Sequence, residues 1–124
     1  MDILLVIGRV LFGGFFLVSG MNHFMKINDM AAYAQMKKVP MAKFSVMLTG
    51  LLLIVGGLSV VFNYEIHYGY ALLVIFLVPT TFIMHQFWAV KEDKQQMMVE
   101  MTSFMKNIAL LGAVVMGLAS TWPI

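Results

Sequence analysis

The 124-residue chain contains no cysteine. Disulfides, thiolate metal sites and thiol catalysis are therefore excluded. Charge is scarce as well: Asp, Glu, Lys and Arg make up 11% of the residues, against about 25% in a soluble domain. A net charge of +2 is too small to point to nucleic acid as a partner. In place of charge there is hydrocarbon. Hydrophobic residues reach 61% and the mean hydropathy is +0.90, which places the chain in the membrane. A span needs ~20 mostly apolar residues. Residues 1–124 thus read as a single integral-membrane domain of four spans, with no room for a soluble active-site domain.

Four apolar runs are present, Ile3–Met21, Phe44–Phe62, Tyr68–Trp88 and Phe104–Thr121. Each is long enough to cross as a helix, the non-barrel solution that satisfies its own backbone in lipid. The fold class expected is all-α, a four-helix transmembrane bundle. The first run has Asp2 at its start and Arg9 inside it, and lacks a small-x-small cleavage site, so it reads as an uncleaved span. Lysines lie in the first connection (Lys26, Lys37, Lys38, Lys43) and around the third (Lys91, Lys94, Lys106). The second connection, "NYEIHY", and the tail "STWPI" have none. Positive residues mark the cytoplasmic side, so both termini are expected to face outward. The Asn/Asp start and proline stop of "NDMAAYAQMKKVP" suggest a short interfacial helix with Met30, Tyr33 and Met36 on one side. "KEDKQQMMVEMTSF" reads as a helix rising into the fourth span, with Glu92 or Asp93 near its start.

The polar residues inside these runs are the candidates for function. Arg9 lies about two turns into the first span, ~10 Å along the helix. Three readings are open for it: snorkelling to headgroups, an ion pair with Glu65, or a ligand anchor. Arg9, Gly13, Phe16, Gly20 and His23 share one helical side, which reads as the face turned into the bundle. Ala109, Ala113 and Gly117 form a second small-residue stripe, expected to pack. In the third span Pro79 should bend the helix and free the Ile75 carbonyl, with Thr80 or Thr81 bonding back to the backbone. Spans one and three run the same way, so His23 and His85 arrive at similar depth, near Ser19, Asn22, Thr81, Lys106 and Asn107. This is either a polar cluster that satisfies itself or a ligand site under an apolar chamber. His85 as hydrogen-bond donor to a quinone or similar carbonyl compound is one reading. Two facing histidines could instead hold a haem. Thirteen methionines, most toward the cytoplasmic side, admit Cu(I), but also read as flexible packing.

Taken in order, "GRVLFGGFFLVSGMNHF", "TGLLLIVGGLSVVF", "LVPTTFIMHQFW" and "FMKNIALLGAVV" resemble the DoxX family of small four-span membrane proteins over nearly the whole chain. The resemblance carries over Arg9, His85, Trp88, Lys106 and Asn107 as site residues. Many relatives have a glutamate in the second span, where this chain reads "MLTGL" without an acid. The family takes its name from the smaller subunit of a thiosulfate:quinone oxidoreductase, and other members are implicated as membrane partners of redox or detoxifying enzymes. What the resemblance implies is a bacterial cell (inner) membrane protein. The expectation is a non-catalytic component that binds a quinone or lipid-like molecule at His85, His23, Thr81, Trp88, Asn107, Lys106 and Arg9. It would contact membrane lipids and serve a redox partner, with a homo-oligomer open. The alternatives are a ligand-free interaction module and a haem- or copper-binding oxidoreductase subunit.

Overall fold

The computed structural model describes residues 2–122; the last two residues of the "STWPI" tail lie outside them. The chain forms α1 (Asp2–Met25), α2 (Ile27–Met36), α3 (Ala42–Phe62), α4 (Ile66–Met84), a 3₁₀ turn (Phe87–Ala89) and α5 (Lys94–Thr121). Apart from the short α2, each α-helix is long and apolar enough to cross a membrane. Outward leucines such as Leu11, 71% exposed, are the surface that hydrocarbon would cover.

Glycine sets how closely α1 and α3 cross. A Cβ on Gly20 would lie 2.7 Å from the Gly50 carbonyl oxygen, and one on Gly57 would lie 2.7 Å from the Gly13 carbonyl oxygen. Only glycine permits that approach, as is common where helices must pack without a hydrophobic driving force. The stripe expected on α1 is the buried one: Gly13, Phe16, Gly20 and His23. Gly56 and Gly69 similarly bring α3 to α4, where a Cβ on Gly69 would meet the Ser59 hydroxyl. The core between the helices is Phe16, Leu53, Val60, Leu73, Phe76, Leu77 and Val114.

The helices pack in the order α1, α3, α4, α5. Close backbone packing between α1 and α5 is not found among the described residues. A seam therefore runs between the first and last helices, bridged by side chains such as Lys106, whose Nζ lies 5.6 Å from the Phe15 ring centroid. This seam overturns the small-residue stripe expected on α5. Ala109 and Ala113 are exposed, and only Gly117 packs, against the Tyr70 ring. The buried face of α5 is Glu100, Asn107 and Val114 instead, seven residues apart and so on one side.

One further boundary differs from expectation, the end of the third span, while the expected polar helix rising into the fourth span is present. The third span is α-helical only to Met84, with His85 as its C-cap. From there the chain turns so that Phe87 and Trp88 pack edge-on to Phe104 of α5. At 28 residues, α5 is about 42 Å long. Its first turns thus project beyond a ~30 Å hydrocarbon layer. It begins at Asp93, whose carboxylate accepts from the Gln96 N–H at 3.1 Å, an N-cap. The interfacial helix exists as α2, but Met36 is 76% exposed while Ala34 is buried, so its inner face is rotated away from Met36.

Candidate functional site

At the lysine-rich end, α1, α2, α3, α4 and α5 together line a partly open cavity of about 500 Å³. Its walls are mainly hydrocarbon, from residues such as Phe16, Val46, Phe76 and Leu110. Its polar points include Ser19, His23, Thr80, His85, Lys106 and Asn107. An apolar slot with a few convergent polar groups is the usual form of a small-molecule site.

The two histidines have defined tautomers. The Nδ1 of His23 lies 2.8 Å from the Ser19 carbonyl oxygen. A carbonyl only accepts, so Nδ1 carries the hydrogen and Nε2 is left as the acceptor. The same holds for His85, whose Nδ1 lies 3.2 Å from Oε1 of Glu100. A neutral His85 oriented in this way offers Nε2 as an acceptor to a ligand hydroxyl. It donates through Nε2 only as imidazolium.

Glu100 is the residue that sequence reasoning missed. It is 1% exposed and accepts from three side chains on two other segments, α2 with its C-cap and the end of α4. The Tyr33 hydroxyl donates to Oε2 at 2.8 Å, the Lys37 ammonium donates to the same oxygen, and His85 donates to Oε1. A buried carboxylate is tolerable only when paired and hydrogen-bonded in this way. Burial, and the carboxylate beside it, push the Tyr33 phenol well above its ordinary value, so Tyr33 stays a donor. The network ties α2 to α5 and to the end of α4, and it holds His85 against the cavity. The second span supplies no acid; the carboxylate of this cluster comes from α5. In sequence, the one available signal was helical spacing, since Glu100 and Asn107 share a face of α5.

Not every expected residue gathers here. His23, His85, Lys106 and Asn107 line the one cavity. Thr81 is fully buried, but Thr80 forms the wall, and Thr81 Oγ1 has no hydrogen-bond partner among the described residues. The expected back-bond from Thr81 is therefore not made. Trp88 is 42% exposed and belongs to the aromatic cluster with Phe87 and Phe104, off the cavity wall. Arg9 is 14 positions before His23, ~21 Å along the helix, and lines a separate cavity at the other end. It is not paired with Glu65, which lies 3.5 Å from His67. For a metal, no group of three or more His, Cys, Asp or Glu side chains comes together among the described residues.

Comparison with known proteins gives one family. No curated protein and no solved structure matches the chain. The family model for DoxX matches residues 4–86, from the first turn of α1 to just past His85. The match covers more than half of the sequence and includes Arg9, His23 and His85; with four helices fit to cross a bilayer, the chain is an integral membrane protein of the DoxX family.

Proposed function

We propose that the protein is a non-catalytic membrane component that binds a quinone or another lipid-like molecule in the cavity at His85 and supports a redox partner. The observation that carries this reading is the cavity of about 500 Å³ whose apolar walls converge on His23, His85 and Asn107. Its size favours a ligand over a packing module with a filled interior. The His85–Glu100 pair suits a molecule that exchanges a hydroxyl for a carbonyl. With Nδ1 turned to Glu100, His85 accepts from a quinol hydroxyl at Nε2. Lysine placement orients this end toward the cytoplasm, with both termini outward, in a bacterial inner membrane as one domain.

The test is the content of co-purified quinones and lipids in the native protein and in His85→Ala. The variant is expected to lose most of the bound molecule. Equal content in both would sink the proposal. A visible spectrum of protein produced with haem and copper available tests the alternative of a redox subunit: bound colour lost in His23→Ala and His85→Ala alike would replace the ligand reading.

A further inference from the structure

The second cavity, of about 200 Å³, lies at the opposite end of the seam between α1 and α5. Arg9 lines it together with Leu5, Gly8, Phe12, Tyr70 and Ala113. Arg9 is half-buried, and its Nε is enclosed without a hydrogen-bond partner among the described residues. No acidic side chain among them lies within ion-pair distance of it. A guanidinium that only snorkelled would keep its donors in water. Here one donor is enclosed beside a cavity with no protein partner among the described residues, and a half-buried guanidinium among apolar side chains is stabilised by an anion. A partner that suits it is an anion. The leucines beside the cavity, Leu4 and Leu5, are 62% and 58% exposed and face hydrocarbon, so the anion arrives attached to an apolar chain.

We propose that the Arg9 cavity is a second binding site, for the anionic head group of a membrane amphiphile, whose chain lies in the seam between α1 and α5. A phosphate or carboxylate oxygen accepts from the guanidinium, a charge-assisted pairing suited to its fork of donors. Gly8 leaves the site open: a Cβ there would meet nothing within 4 Å. The site is independent of the His85 cavity.

The test counts lipid bound to the full chain by native mass spectrometry, in mixed micelles of phosphatidylglycerol and phosphatidylcholine. The protein is expected to prefer phosphatidylglycerol, whose phosphodiester charge is not offset by a choline cation, by roughly tenfold. Arg9→Gln should abolish the preference. Gly8→Leu, which fills the cavity and keeps the cation, should abolish it too, and guards against a folding defect of the first variant. His85→Ala should retain it. An unchanged preference in either Arg9→Gln or Gly8→Leu overturns the proposal. So does its loss in His85→Ala, which would move the lipid to the other cavity. Displacement of the lipid by inorganic phosphate alone would assign the cavity to a soluble oxyanion and overturn the amphiphile.

Discussion

At the scale of single residues, Glu100 and Thr81 are opposite cases of a buried polar group. Glu100 is sealed from solvent and fully engaged. Glu100→Gln removes the charge that holds the Lys37 ammonium and weakens the tie between α2 and α5. A loss of about 3 kcal/mol is expected, the low end for a broken buried pair, because Lys37 keeps some exposure. Denaturant unfolding in detergent micelles measures it, and a change below about 0.5 kcal/mol would show that the network is a surface-like pair. Thr81 is buried with its hydroxyl unpartnered among the described residues. Thr81→Val keeps the shape and removes the stranded hydroxyl, so stability should hold or rise by about 1 kcal/mol. A clear loss would mean that the hydroxyl has a partner in the membrane, a water or a bound molecule. Neither case was legible in sequence. The partners of Glu100 are 15, 63 and 67 positions away, and a carboxylate on the polar slope of a helix looks like solvated surface until the fold brings donors to it.

At the scale of elements, glycines divide into those that set a crossing and those that do not. Gly20→Ala should cost about 1–3 kcal/mol, the range for overpacking, because its Cβ would strike the Gly50 carbonyl and the backbone of α3. Gly14→Ala, on the same helix with open space around it, should raise stability by about 0.5–1 kcal/mol through helix propensity. Thermal unfolding of the two variants side by side checks the pair, and equal shifts would contradict the crossing. The stripe on α1 was legible because a 3.6-residue period places Gly13, Phe16, Gly20 and His23 on one face and α3 then covers that face. The same reasoning failed on α5. Its small residues have the right spacing, but no helix packs closely on them, and the buried face is the one with Glu100, Asn107 and Val114. Period tells which residues share a face, and only a neighbour decides which face is buried. The end of α4 was misplaced for a related reason: the aromatic cluster with Phe104 bends the chain after Met84, and its members come from two helices and a turn.

At the scale of the whole molecule, the open side between α1 and α5 is the route by which both cavities would meet the bilayer. The natural absence of cysteine makes this testable in a clean background. A bismaleimide bridge between Phe15→Cys and Lys106→Cys, whose native side chains already meet across the seam, should leave the helices intact and slow exchange of bound quinone or lipid by roughly tenfold or more, the effect of raising a barrier by about 1.4 kcal/mol. Exchange as fast in the bridged protein as in the unbridged one would place the entrance elsewhere.

Composition and run length were sufficient for the solvent and the class of fold. A chain this apolar must lie in lipid, and lipid forces each backbone segment to satisfy itself as a helix. The pairing of His23 with His85 at one end also followed from span direction. The tertiary structure alone decided that Arg9 belongs to another cavity, that Trp88 and Thr81 stand off the wall, that α1 and α5 leave a seam, and that Glu100 holds His85. Each of these depends on contacts between residues distant in the chain, and in a membrane those contacts are set by close packing and buried polar pairing, which hydropathy does not encode.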